Sequence, residues 1–277
     1  MNQVLTTKTQ RELAFIQDLL IAPDWGERFA TLIDEYVKVP KKGRLLYAGA
    51  GTGGHALGLR ERAGKKIEFL GVDENDESIE IARAKAVTLG VAAEFRIGKL
   101  DGLELKDNQF DLVIGDLSLF APERISAILS ELVRVTNPGG TVAIVLPTSS
   151  SFGEFFSIYW EALYNSEFAG EVDIEGLLNA LPTASDVEAI ATREGLVDVA
   201  AWTQTEAFDF GSGEEFLNAP LISDFLMKGW MQAVPEEKQE RVTQEIANLI
   251  NEERHEAEFL LTVKATLLLG KKQRPEI

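Results

Sequence analysis

Apolar positions along the chain change period between its beginning, middle and end. Over the first 40 residues they recur at helical spacing. Leu13, Ile16 and Leu20 share one face, and Phe29, Leu32, Ile33 and Tyr36 follow i, i+3, i+4, i+7. Pro40 and Gly43 then break the chain. From residue 41 short apolar runs alternate with amphipathic stretches. Strands are expected over 45–48, 67–73, 93–97, 110–114 and 141–146. Between them lie a helix carrying Ala56, Leu57 and Leu59, a helix over 78–89 stopped by Gly90, and a helix whose face is Ile125, Ile128, Leu129 and Leu132. Asn137-Pro138-Gly139-Gly140 reads as a tight turn into the fifth strand. Strands separated by helices imply right-handed crossovers and a parallel sheet.

The remainder obeys other rules. Ser185 and Glu188 have capping-box spacing and open a short helix ending at Gly195. Residues 197–210 read as a long strand, 214–231 and 235–256 as helical stretches. In 261–269, Leu261, Val263, Ala265 and Leu267 alternate with Thr262, Lys264 and Thr266, which fits an antiparallel edge strand. Phe152, Phe155, Phe156, Tyr159, Trp160 and Leu163 make one broad helix face, and Ile222, Phe225, Leu226 and Trp230 a second. The expected organisation is a helical segment, 1–40, and an α/β domain, 41–277, with helical insertions near 151–183 and 211–257.

Charge narrows the partners. Of 277 residues, 45 are acidic and 27 are Lys or Arg, a formal net charge of −18. Such a surface repels nucleic acid and anionic membranes unless a basic patch is concentrated somewhere. The densest basic stretches, 38–44 and 264–274, are short. The acidic run 235–259 reads as a solvated helix face. With no cysteine, disulfides, thiolate metal sites and a cysteine nucleophile are excluded. The first residues lack the features of a signal peptide, and no apolar run approaches the ~18 residues of a membrane span. The expectation is a cytoplasmic protein acting on a small molecule.

The chemistry concentrates at Gly49-Ala50-Gly51-Thr52-Gly53-Gly54, between a strand and a helix. Glycines allow the tight turn and a close approach of backbone to ligand, and the helix start offers free N–H groups to an anion. Asp73 closes the next strand, 22 positions after Gly51, where a carboxylate can accept hydrogen bonds from ribose hydroxyls. These features alone fit either a nicotinamide dinucleotide or S-adenosylmethionine.

The order of the later strands and turns separates the two cofactors. Phe110-Asp111-Leu112-Val113 opens the fourth strand. Glu131-Leu132-Val133-Arg134-Val135 runs into Asn137-Pro138-Gly139-Gly140, and a strand pair ends the chain. This series resembles the class I S-adenosylmethionine-dependent methyltransferases. The resemblance implies a Rossmann-like, doubly wound, mostly parallel seven-stranded sheet with an antiparallel last strand. It implies S-adenosylmethionine as cofactor, its methionine end over Gly49, Ala50, Gly51 and Gly53, its ribose on Asp73, and Glu74 flanking the adenine. It also implies that the loop Gly98-Lys99-Leu100-Asp101 closes on the adenine and that Asp116 lies near the sulfonium. Two positions depart from the family pattern. Tyr47 stands where an acid is usual, supplying a hydroxyl without negative charge. Lys99 stands where an acid usually meets the adenine amino group, and Asp101 can substitute by a small shift of the loop.

Methyl transfer needs alignment, exclusion of water and, where the acceptor loses a proton, a base. Asp116 is the expected catalytic residue, with Tyr159 and Tyr164 as other candidates. Phe156, Tyr159 and Trp160 are expected to pack as core or to line an apolar acceptor pocket, their helices forming a lid over it together with the N-terminal pair. His55 reads as a polar residue at a helix start and His255 as part of the charged run 252–256. Neither suggests a metal site. The leading function is methyl transfer to a small apolar or aromatic acceptor. A catalytically silent member of the same fold, binding a ligand or partner, is the alternative that Tyr47 and Lys99 favour. A nicotinamide-dependent oxidoreductase is the third reading.

Overall fold

The computed structural model describes residues 8–168, 172–253 and 259–275. The chain divides into two compact units. The first comprises residues up to 146, 186–202 and from 267 onward. The second comprises 147–185 and 203–266. His255 lies outside the described residues.

The first unit begins with α1 (Gln10–Ile16), a π-helical stretch (Gln17–Gly26) and α2 (Glu27–Tyr36). Thr9 caps α1 in a reciprocal capping box with Glu12. Leu13, Ile16 and Leu20 do not form the buried face that a 3.6-residue period implies. The π turns use i→i+5 bonds, which rotate the sequence against the core. Ile21 and Trp25 are carried inward, and Leu19 and Leu20 are left 67% and 54% exposed. Past the π stretch the regular period holds, and Phe29, Leu32 and Ile33 are buried.

The α/β part comes next: β1 (Gly43–Ala48), α3 (Gly54–Arg62), β2 (Ile67–Asp73), α4 (Asp76–Leu89), β3 (Glu94–Ile97), β4 (Phe110–Asp116), α5 (Ile125–Val135) and β5 (Thr136–Thr148). After α6 (Gly153–Asn165), α7 (Ile174–Leu178) and α8 (Ala184–Arg193) come β6 (Leu196–Phe210), α9 (Gly213–Asn218), a π turn (Leu221–Leu226), α10 (Met227–Trp230), α11 (Glu236–Glu253) and β7 (Phe259–Lys272). The seven strands lie in the order β3-β2-β1-β4-β5-β7-β6. β1 to β5 pair in parallel, and β7 is antiparallel. β7 is an interior strand between β5 and β6, and the outer place is taken by β6. The alternation in β7 is real as far as Ala265, after which both faces are buried to Leu268. Asn137 to Gly140 do not precede β5 as a turn. They form an irregularity inside it, with Phe110 opposite Thr136 and Leu112 opposite Thr141. Gly139, at φ +82°, supplies the left-handed step. Ser185 lies within the first turn of α8, which begins one residue earlier.

The core of this unit packs Leu46, Val113, Val142 and Ile144 of the strands against Ile128, Leu129 and Leu132 of α5. Every residue of the expected α5 face is buried because its 3.6-residue stripe meets the sheet.

The second unit has its own aromatic core. Phe155 stacks on Trp230 with ring centroids 4.2 Å apart and also contacts Phe156, Tyr159 and Phe216. Among the described residues no helix is long and apolar enough to cross a membrane.

Candidate functional site

β1 ends at Ala48, and the chain reverses through three left-handed glycines, Gly49 (φ +72°), Gly51 (φ +50°) and Gly53 (φ +81°). The bend is fixed to the neighbouring strand: the amides of Gly49 and Ala50 both donate to the Val72 carbonyl, at 2.9 and 3.0 Å. Gly53 N–H donates to Ala50 O at 2.9 Å, and the Gly53 carbonyl accepts the first bond of α3. The glycines are required for different reasons. A Cβ on Gly49 would stand 2.2 Å from the backbone oxygen of Asp116. One on Gly53 would stand 2.9 Å from the Ala82 Cβ, while one on Gly51 meets only the end of the Gln17 side chain, at 3.0 Å.

Asp73 points at the bend. Its Oδ2 accepts the Gly51 amide at 2.8 Å and its Oδ1 the Asn75 amide at 3.0 Å. Burial pushes its carboxyl above the usual range. The two amides pull it back, and the negative charges of Glu74 and Asp116 add to the upward shift.

A cavity of about 490 Å³ opens over the bend, entirely within the first unit. One end is polar, made by residues 49–52 with Asp73, Gln17, Asp18 and Lys85. The lining also includes the apolar side chains of Ile21, Ala22, Trp25, Ala30, Leu119 and Phe120. The N-terminal helices are tied across it by polar contacts. Thr52 Oγ1 donates to Asp18 at 2.6 Å, and Lys85 pairs with the same carboxylate. Ser78 donates to Gln17 at 3.1 Å.

Tyr47, His55 and Asp34 form a hydrogen-bonded chain along the lining. Tyr47 Oη lies 2.8 Å from His55 Nδ1, and His55 Nε2 lies 2.9 Å from Asp34 Oδ1. Arg62 also pairs with Asp34. Burial pushes the Tyr47 hydroxyl well above its ordinary range, and the charges of Asp116 and Asp34 act in the same direction. Asp116, at the end of β4, accepts the Ser118 amide at 3.0 Å. Burial raises its carboxyl, while bonds from Ser118 and the nearby His55 lower it.

Of the residues expected to hold a cofactor, Tyr47, Gly49, Ala50, Gly51, Asp73 and Asp116 line this cavity, and Gly53 supports the bend from behind. Glu74, Lys99 and Leu100 do not line it. The Glu74 carboxylate accepts the Leu100 amide at 2.9 Å and pairs with Arg124, which holds it below its usual range. Asp101 pairs with the same arginine, at 2.9 Å. Lys99 is exposed. Phe156, Tyr159 and Trp160 belong to the second unit and do not line the cavity. Phe156 and Tyr159 are closed into its aromatic core, where Tyr159 Oη donates to the Trp230 carbonyl at 3.1 Å. Trp160 is 52% exposed and stacks on Tyr164. The apolar lining comes from the N-terminal helices, which were expected to share in a lid, and from Leu119 and Phe120, which the sequence did not single out. Asp34 and the partnership of His55 were missed too. The available signal was Tyr47 in an acid's place, eight positions before a histidine.

Residues 45–140 match the family described as a methyltransferase domain. Two curated relatives are demethylmenaquinone methyltransferases. That of Deinococcus radiodurans is 30% identical over 146 residues, 52% of this chain and 59% of the relative. That of Thermus thermophilus is 32% identical over 154 residues, 54% of this chain and 66% of the relative. The chain thus spans about three-fifths to two-thirds of the length of these relatives. The solved structure of the YcgJ protein from Bacillus subtilis shares the fold at 16% identity, with a TM-score of 0.59 over 90% of this chain and all of that one.

Proposed function

The chain belongs to the class I S-adenosylmethionine-dependent methyltransferase family, and from that premise we propose that it methylates a small aromatic acceptor, using S-adenosylmethionine. One observation carries the reading: a side-chain-free bend at Gly51 is held open by a buried carboxylate, Asp73, beside a cavity of about 490 Å³.

The residues fit the cofactor. The place a Gly51 Cβ would fill is bounded only by a movable glutamine side chain, so backbone can be approached there. Gly49 to Gly51 would hold the amino-acid end, and the remaining lone pairs of Asp73 would accept the ribose hydroxyls. When bound, S-adenosylmethionine supplies a methyl carbon activated by a positive sulfur. The protein contributes alignment through the bend, and Trp25, Phe120 and Ile21 give the acceptor a wall that excludes water. Asp116 and Tyr47 add polar side chains to the same lining. The names of the curated relatives support a quinol-like acceptor. Tyr47 lies within the lining and Lys99 outside it, so neither departure from the family pattern closes the bend, which weighs against a silent protein.

Calorimetric titration with S-adenosylmethionine and S-adenosylhomocysteine tests the cofactor. Mass spectrometry of hydroxynaphthalenes incubated with protein and S-adenosylmethionine tests the acceptor. Absence of binding at millimolar cofactor refutes the reading.

A further inference from the structure

Most acidic groups around the cavity are engaged in holding the structure. Asp73 accepts two amides, Asp18 holds Thr52 and Lys85, and Asp116 accepts from Ser118. The Tyr47–His55–Asp34 chain is arranged differently. A carboxylate can only accept, so the 2.9 Å contact to Asp34 places the imidazole proton on Nε2. Nδ1 then carries a lone pair and accepts the Tyr47 hydroxyl at 2.8 Å. Arg62 pairs with Asp34 and fixes the outer end. Tyr47 Oη keeps lone pairs for a donor in the cavity, while its own proton already points at a base. A base oriented by a third group is the arrangement that activates hydroxyls.

We propose that Tyr47, His55 and Asp34 form a proton relay serving an acceptor with an ionisable aromatic hydroxyl, a phenol or a quinol. This rests on the methyltransferase reading and deepens it. The acceptor hydroxyl gives its proton to Tyr47 Oη as Tyr47 passes its own to His55 Nδ1. The acceptor's electron pair forms the bond to the methyl carbon, and the pair of the broken carbon–sulfur bond stays on sulfur. The one proton released is held on His55 as an imidazolium, balanced by Asp34. Tyr47 is the group that touches the acceptor. His55 and Asp34 act through it as positioning residues. Arg62 shares Asp34 with the imidazole, and Asp116 is close enough to interact with it electrostatically. An acceptor methylated on a tertiary amine or thioether releases no proton and has no use for such a chain.

The test exploits a chain with two histidines. In ¹⁵N-histidine-labelled protein carrying His255→Gln, long-range ¹⁵N–¹H spectra report the His55 tautomer without any acceptor. The Nε2–H form near neutral pH is expected, and an Nδ1–H form overturns the relay. With 1,4-dihydroxynaphthalene as acceptor, His55→Gln should lower kcat about a hundredfold. KM for the naphthalenediol and calorimetric affinity for S-adenosylmethionine should stay within about twofold. Glutamine can bridge Tyr47 and Asp34 but cannot hold the proton, so a purely structural role predicts no such split. Wild-type kcat in His55→Gln overturns the relay. A wild-type protein that binds S-adenosylmethionine but leaves the naphthalenediol unmethylated overturns the acceptor assignment. Failure to bind S-adenosylmethionine overturns the proposed function instead, and the tautomer still reports on the relay.

Discussion

Replacing Gly51 by alanine separates the ligand's claim on the bend from the fold's. At φ +50° an L residue is strained by about 1–2 kcal/mol. The new Cβ stands 3.0 Å from the Gln17 amide nitrogen, the far end of a flexible side chain, so little is added by collision. The unliganded protein should lose about 1–2 kcal/mol, a fall in Tm of roughly 2–8 °C for a unit of this size. Cofactor affinity should fall at least about tenfold, or 1.4 kcal/mol, because the methyl occupies the space in which a ligand approaches the Gly51 backbone. Gly49→Ala supplies the contrast. Its Cβ would lie 2.2 Å from the Asp116 carbonyl oxygen and 3.2 Å from the carbonyl carbon, both backbone of a central strand. Nothing there can rotate away, so the loss should exceed about 3 kcal/mol and show as failure to fold. Urea unfolding measures the first term and calorimetric titration with S-adenosylmethionine the second. If Gly51→Ala folds and binds with wild-type affinity, the cofactor does not approach this bend and the placement is wrong.

Three further outcomes rest on individual contacts. Asp73 has its pKa raised by burial, so its native carboxyl holds a proton longer than the unfolded one. That penalty grows as pH rises from the unfolded value of 3.8 through the native one, so Asp73→Asn should melt no lower than wild type near neutral pH while losing cofactor affinity. Lower stability together with retained binding refutes it. Glu131 has the opposite sign: Arg134 at 2.7 Å and the Leu103 amide at 2.8 Å hold its pKa down. It contributes stability above its unfolded value of 4.5 that is lost as pH falls through the native one. Glu131→Gln should therefore cost about 1–2 kcal/mol at neutral pH and flatten the acid limb of a Tm–pH profile. Gly213→Ala in the second unit would set a Cβ 2.3 Å from the Ala247 carbonyl oxygen and should cost about 2 kcal/mol or more by urea unfolding.

The α/β architecture was legible because its signals are local. The five apolar runs before residue 147 are strands, β2 has the expected bounds, and Gly90 ends α4 in the left-handed conformation that a helix stop requires. Other features depend on partners distant in sequence. Period-two alternation in β7 showed a strand but not its neighbours, so an interior place between β5 and β6 read as an edge. The Pro-Gly-Gly run signalled a departure from regular backbone without distinguishing a turn from a bulge in a longer strand. A π stretch shifts a helical face, and Pro23 inside it interrupts the helix without telling by how much, which is why Leu20 was misplaced and Trp25 overlooked. The aromatic stripe on α6 illustrates the same limit. Six residues at helical spacing marked one face, of which five are buried, Phe155 against Trp230 and Phe216, while Trp160 stays exposed.

The two sides of the cavity therefore differ in how they are encoded. The side proposed for the cofactor is made by a contiguous strand–bend–helix and the end of the next strand, inside the 45–140 stretch that matches the methyltransferase domain. Its constraints are stereochemical: left-handed φ at Gly51, a carbonyl 2.2 Å from where a Gly49 Cβ would stand, and a carboxylate within 2.8 Å of an amide. Any chain using this geometry meets the same constraints, so glycine spacing reveals it. The apolar wall and the outer end of the proton chain come largely from residues 21–34, before that stretch. An acceptor needs only shape, apolar surface and a base in reach, and many sequences meet those needs. Ile21, Trp25 and Asp34 accordingly look like ordinary helix residues until folding brings them to the cavity that Gly51 and His55 also line. Likeness within 45–140 therefore covers the bend together with Tyr47 and His55, whereas Ile21, Trp25 and Asp34 lie outside it. Exchanging residues 21–34 for the corresponding segment of a relative should change the acceptor preference more than the affinity for S-adenosylmethionine.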